Sequence, residues 1–462
     1  MIKKLLLCMF VFSTSILWAQ APGLDECIAT ALENNADLQK QAIILEQARK
    51  ESANQWNNFL PSLTLSADYS NTAHQLSPTT SAGNWGWGAS ASLGLTSLSF
   101  NIPTEMKIAA LDYDIALNTY QQLTKSIETQ VASAYYQLLE SQENIVALEE
   151  SLTLAENEYA QVRRRYNVGA ASELDLLMAQ YSFESAEPAL RTAQNTYRNQ
   201  IVAFFILLGT GQDMLLPFAS SRDGNESENF QIDTTLSIVE LRFPDLSTLI
   251  ENHVEYTADV ISATYTLERS KLSSLSTKLS SYAPTISISE NLQFSESASG
   301  NNLSATGTFS ISARLPIENF IPGSTVNLNV QKTEDAITTA EINLNTAKET
   351  VRRDIYEKVL AIEKLWKDIA TAELSYSIAE RAYELSQEAY QNGLLDQTDL
   401  ETARQNYTGA NLDLIACEIS YINGAYALAN TLNIHIDELY ALYGQSSTVA
   451  NRNLLLIGEI NG

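Results

Sequence analysis

The chain has 462 residues, is 45% hydrophobic and 18% charged, and carries a formal balance of −27 with only 3 histidines and 3 cysteines. That length is enough for a large core or two to three domains. So acidic a surface argues against nucleic acid and anionic lipid as partners, and so few cysteines exclude a disulfide framework.

The chain opens MIKKLLLCMFVFSTSILWAQA. Lys3 and Lys4, a short apolar run and the small residue Ala19 predict a secretory leader over 1–19. The run is too short for a membrane span, which needs about 20 apolar residues, and no later stretch qualifies. Removing the leader takes two lysines and no acid, leaving a balance of −29. LLLC at 5–8 makes a poor lipoprotein signal, because almost no hydrophobic region precedes Cys8; Cys27 and Cys417 read as buried free thiols.

After a helical stretch at about 24–57 comes a period-two pattern. Leu63, Leu65, Ala67 and Tyr69 alternate with Thr64, Ser66, Asp68 and Ser70, and Ala89, Ala91, Leu93 and Leu95 alternate with Ser90, Ser92, Gly94 and Thr96. This predicts strands at about 60–72 and 85–100, apolar on one face and polar on the other. Trp85 and Trp87, near a strand end, fit an aromatic girdle at a membrane interface, and a packed soluble sandwich would use them equally well.

From Tyr120, apolar residues then step by threes and fours through Leu123, Ile127, Val131, Ala134, Leu138 and on to Tyr159, Val162 and Tyr166. That is a coiled-coil pattern with one stutter, and it predicts a helix over about 104–166. Another helix follows at about 172–210, with Pro188 inside it. Residues 211–244 lack a sustained period and read as a linker or equatorial segment.

The second half repeats the first. A shift of 224 residues places YNVGAASELD, from Tyr166, on YQNGLLDQTD, from Tyr390, and aligns Gly169 with Gly393, Asp175 with Asp399 and Tyr197 with Tyr421. The expected organisation is a leader at 1–19, a first repeat at 20–210, the linker, a second repeat at 245–440 and a tail at 441–462. The second repeat holds a helix at about 245–281, strands at about 283–296 and 304–316, and a helix at about 324–391. Each long helix would span about 90 to 100 Å. Four strands cannot close a barrel, so an exported chain with membrane-length strands points to closure by several copies in an outer membrane.

Chemistry of the usual catalytic kinds is not legible. His74, His253 and His435 stand apart, without metal-ligand spacing, and no Walker, GxSxG or glycine-rich phosphate motif is present. No enzyme activity, cofactor or metal is expected. The sharpest local signal is the repeated decapeptide, read as two helical turns. Gly169 and Gly393 suit a left-handed helix end. Ser172 and Asp396 cap the next helix, and Asp175 and Asp399 take the third position of a capping box.

The leader, the duplicated helix–hairpin–helix units and the Tyr-x-x-Gly-x-x-x-x-x-Asp turn followed by an alanine-rich heptad resemble the TolC family of outer-membrane efflux proteins over residues 24–435. The resemblance implies an α+β chain of two tandem repeats, a homotrimer with a twelve-stranded outer-membrane barrel, and a long periplasmic α-helical tunnel. It implies a passive exit duct of a tripartite efflux pump or type I secretion system, docking through Tyr166, Gly169, Ser172, Asp175, Tyr390, Gly393, Asp396 and Asp399 onto a periplasmic adaptor coupled to an inner-membrane pump. The acid six places after the tip glycine is present at Asp175 and Asp399. A second acidic position holds Met178 and Thr402, and a gating arginine position holds Leu395, so a looser, more apolar tip closure is expected. A secreted periplasmic coiled-coil binding protein with a soluble β-domain is the alternative.

Overall fold

The computed structural model describes residues 23–72, 84–98, 100–211, 235–296, 303–392, 394–445 and 450–453. The expected leader, His74, Gly393 and most of 211–244 lie outside them. In chain order the elements are α1 (Leu24–Asn34), α2 (Ala36–Asn54), β1 (Ser62–Thr72), β2 (Asn84–Leu98), α3 (Ile102–Asn167), α4 (Glu173–Leu208), β3 (Thr235–Ile238), α5 (Leu246–Val254), α6 (Ala258–Tyr282), β4 (Thr285–Glu296), β5 (Leu303–Arg314), α7 (Thr325–Gln391), α8 (Gln397–Leu432), α9 (Ile436–Tyr443) and β6 (Ala450–Asn453). Single 3-10 turns at Gln55–Phe59 and Ile317–Phe320 precede β1 and α7. The parallel between the halves is close: α3 and α7 have 66 and 67 residues, and α4 and α8 have 36 each.

Two compact units form, each drawing on both halves of the chain. One comprises 1–39, 122–253 and 353–462, the other 40–121 and 254–352. In the first, Phe204, Phe205, Leu138, Leu139, Ile201 and Leu414 are fully buried. Tyr421 is buried with them and holds the irregular chain beside α8: its hydroxyl donates to Val239 O at 2.9 Å and accepts from Leu241 N at 2.9 Å. The expected linker therefore contains a strand, β3, antiparallel to β6, followed by this pinned segment.

The helix expected at 24–57 is interrupted. Asn35 leaves the helical region with ψ 126°, and its Oδ1 accepts from Asp37 N at 2.9 Å and Leu38 N at 3.2 Å, capping α2. Its Nδ2 donates to Leu207 O at 2.8 Å, tying the break to the end of α4. There Gly209 has φ +79°, and a Cβ on it would lie 2.2 Å from Asn34 O. Only glycine meets both conditions. The helix expected at 245–281 also divides, into α5 and α6, with the Thr257 hydroxyl donating back to Val254 O at 2.9 Å and making no side-chain cap on α6.

The second unit holds one antiparallel sheet in the order β1-β2-β4-β5. Register pairs Leu63 with Leu93, Leu65 with Ala91, and Tyr69 with Trp87 on one face, and Ser66 with Ser90 on the other. Across β4 and β5, Ile288 faces Ile311, while Ser287 and Ser289 face Ser312 and Ser310. The serine pairs are hydrogen-bonded at 2.6 to 2.7 Å.

Candidate functional site

The first turn closes α3 with Gly169 at φ +77°. Gly169 N donates to Tyr166 O at 2.9 Å and Ala170 N to Arg165 O at 2.8 Å, satisfying carbonyls the helix end leaves open. Nothing lies within 4 Å of a Cβ at Gly169, so the requirement there is backbone conformation and not space. Ser172 then opens α4. Its hydroxyl accepts from Asp175 N at 3.1 Å, and the Asp175 carboxylate accepts from Ser172 N at 2.9 Å, a closed capping box. The bonds to Ser172, with a smaller contribution from Arg165, hold the Asp175 carboxyl below its ordinary value.

The second turn repeats one of these bonds 224 residues on, with Leu394 N donating to Ala389 O at 2.9 Å. Asp396 caps α8 by accepting from Asp399 N at 3.0 Å. The return bond from Asp399 to Asp396 N, expected by analogy, is not made. The reason is electrostatic: closing the box would bring two carboxylates together where the first turn has a hydroxyl and a carboxylate.

Both turns border one groove of about 1150 Å³ inside the first unit. Asp175, Tyr390 and Asp396 line it, together with Met178, Leu395 and Arg404. Tyr166, Ser172 and Asp399 do not. Val168 and Leu394, at the turns themselves, are 79% and 81% exposed, so each turn presents an apolar tip to solvent.

Sequence reasoning missed a polar latch beside this groove. Arg404 is buried and forms a two-pronged ion pair with Glu401, at 2.5 and 2.9 Å. Tyr383 and Tyr407 stack beside it with ring centres 5.6 Å apart, and Tyr407 also meets Tyr376. Packing pushes the Tyr383 and Tyr407 hydroxyls up. A signal was available, since the 224 shift sets Tyr383 on Tyr159 and Tyr407 on Phe183, and those rings stack as well, at 5.9 Å. Arg404, however, falls on Gln180, and Glu401 on Leu177. The latch belongs to the second hairpin alone.

In the sheet, Trp85 and Trp87 pair with Asn71 and Tyr69 on the same strand pair, and Trp87 is exposed. A second aromatic group, not foreseen, sits where helix becomes strand: Trp56, Phe59, Phe100 and Phe320 are all exposed. Leu63, Leu65, Phe309 and Ile311 give the sheet an apolar face that is 65 to 75% exposed. Among the described residues no helix is long and apolar enough to cross a membrane, and no group of three or more His, Cys, Asp or Glu could hold a metal.

The family model for outer membrane efflux proteins matches residues 27–210 and 261–433. The chain belongs to that family. It is an outer-membrane efflux channel of the TolC type, built from a helical part and a β-sheet. Its relatives include a probable efflux pump outer membrane protein, TtgC, of Pseudomonas putida, 25% identical over 415 residues covering 86% of this chain and 82% of the relative. The outer membrane protein TolC of Vibrio cholerae is 22% identical over 88% of this chain and 90% of its own length. Among solved structures the fold is similar to that of the Campylobacter jejuni CmeC outer membrane channel, with TM-score 0.71 and 20% identity over 92% of this chain and 87% of that one. It is also similar to the open state of the Neisseria gonorrhoeae MtrE outer membrane channel, with TM-score 0.66 and 18% identity over 89% of each chain.

Proposed function

We propose that three copies of this chain close one twelve-stranded barrel, and that the resulting duct is the passive exit of a tripartite efflux pump. The observation that carries the reading is the sheet. It has only four strands, of 11, 15, 12 and 12 residues, and β1 and β5 are both edges. Long open edges beside an exposed apolar face are a liability in a lone soluble domain, and in a membrane every backbone group must be paired. Closure between β5 of one copy and β1 of the next removes the edges and turns the apolar face to lipid. Trp56, Phe59, Phe100 and Phe320, at the helical end of the strands, suit one interfacial girdle, and Trp85 and Trp87 the other.

The helical turns are the docking element in this reading. Val168 and Leu394 offer apolar anchors, and the groove between the hairpins, with Asp175 and Asp396 at its rim, suits the tip of a partner helical hairpin from a periplasmic adaptor. Delivery of substrate and energy rests with that adaptor and an inner-membrane pump.

Membrane fractionation followed by gel analysis with and without heating tests the assembly. A heat-modifiable trimer in the outer membrane is expected. Recovery in the soluble periplasm without such a trimer would defeat the channel reading and favour a periplasmic coiled-coil binding protein. Photo-crosslinkers at Val168 and Leu394 test docking, with transfer to an adaptor of the same cell expected.

A further inference from the structure

The β-region is nearly free of charge, and its few charges are sorted by face. Between Ser62 and Leu98 the only Asp, Glu, Lys or Arg is Asp68, and between Thr285 and Arg314 there are Glu290, Glu296 and Arg314. The alternation that puts Leu63, Leu65 and Tyr69 on the apolar face puts Asp68 on the other, in line with Thr64 and Ser66. Register joins Glu290 to Leu93 and Phe309, on the apolar side. Asp68 therefore stands in a field of neutral hydroxyls.

The strands also build the position of this carboxylate. Asp68 pairs with Gly88, and its row continues through Ser295 to Ser304. A methyl group in place of the Gly88 hydrogen would stand 2.8 Å from Asp68 Oδ1, so the side chain lies across the neighbouring strand in the space that glycine leaves. The next row is occupied by the Ser66–Ser90 hydrogen bond at 2.7 Å. On the same face the only base is Arg314, ten residues along β5 from Ser304 and so roughly 33 Å away along the strand. The connecting segments 73–83 and 297–302 contain no Asp, Glu, Lys or Arg.

We infer that Asp68 is a selectivity residue of the barrel: one copy from each chain forms a ring of three carboxylates near the mouth of the lumen that favours cations and cationic solutes over anions. This rests on the trimeric channel reading, which makes the polar face the lumen. Rings of charged side chains select by sign, and a low-dielectric wall focuses their field. Twelve tilted strands give a backbone diameter of about 24 Å. The screening length is about 30 Å at 0.01 M salt and about 3 Å at 1 M, so the ring's field spans the pore in dilute salt and stays near the wall at 1 M.

The test is the reversal potential of purified trimers in planar bilayers under a KCl gradient, at low and at high mean salt. Wild type should prefer K+ over Cl−. Asp68→Asn should lower the permeability ratio at least about twofold near 0.01 M and little near 1 M, and Asp68→Arg should shift it further toward Cl−. Asp175→Ala with Asp399→Ala serves as a comparison at the helical tips, and the Asp68 loss should persist in that background. Trimers of either Asp68 variant that conduct with wild-type selectivity at low salt would overturn the inference and leave the channel reading standing. Absence of any conducting trimer from the wild-type chain would overturn that reading and this inference together.

Discussion

At the scale of single residues, the two turns open their following helices with different caps. Ser172 and Asp175 exchange two hydrogen bonds, whereas Asp396 and Asp399 exchange one. Ser172→Ala should therefore cost about 1 kcal/mol at the start of α4. The Asp175 carboxyl is held below its ordinary value in the folded turn. A lowered folded value means that its contribution is present at neutral pH, above the unfolded value of about 4, and is lost as pH falls through the folded value. Amide exchange over residues 172–176 reads this directly. Asp175→Asn should exchange faster than wild type at pH 7 after correction for intrinsic rates, and the two should converge below about pH 3. A difference that persists in acid would mean that the box, and not its charge, protects the turn. Because α8 starts without a closed box, Asp399→Asn should leave its own turn much less affected at either pH.

Among elements, both hairpins carry an aromatic stack between their helices, and the second adds an ion pair within α8 that the first lacks. Arg404 and Glu401 keep 11% and 20% of their side-chain surface exposed, and Glu150 of α3, which solvent still reaches, is raised by packing and held back by the Arg404 charge. Arg404→Met leaves Glu401 unpaired within α8 and should loosen the first turns of α8, by less than the about 3–5 kcal/mol of a broken fully buried pair because both side chains keep solvent contact. Hydrogen exchange should rise near residues 383–407 and stay unchanged at the first hairpin, and adding Glu401→Gln should recover part of the loss. Equal loosening of both hairpins would argue against a local latch. The contrast also shows which features the sequence makes legible. The long helices were readable because an apolar seam repeated over many turns averages out local exceptions, and the strands because period two sorts Ser and Leu so cleanly. The break at Asn35 joins a local cap, its Oδ1 accepting from Asp37 N and Leu38 N, to an amide bond with Leu207 172 residues away, and that distant bond no local pattern announces. Trp56, Phe59 and Phe320 sit in or beside 3-10 turns too short to carry a period. Arg404 and Glu401 escaped because their repeat partners are Gln180 and Leu177, so the duplication that revealed the turns gave no sign of this pair.

For the whole molecule, the sheet's two faces make one more demand. Glu290 is the sixth of the twelve residues of β4 and stands in register with Leu93 and Phe309 on the apolar side. Strands of this length at the usual tilt cross the roughly 30 Å hydrocarbon layer, which places Glu290 near its middle in the trimeric barrel. An acid on the lipid face is destabilising there, though by less than the about 2–4 kcal/mol of a lysine or arginine. Glu290→Leu should accordingly raise the temperature at which the trimer dissociates on a gel, and Glu290→Lys should lower it, with three copies per barrel amplifying both changes. The signs discriminate between surroundings. Lipid rewards leucine, whereas a face covered by polar protein would lose a satisfied carboxylate and become less stable with the same substitution. A lower dissociation temperature for Glu290→Leu would thus mean that this face does not meet lipid, and the inward assignment of Asp68 would fall with it.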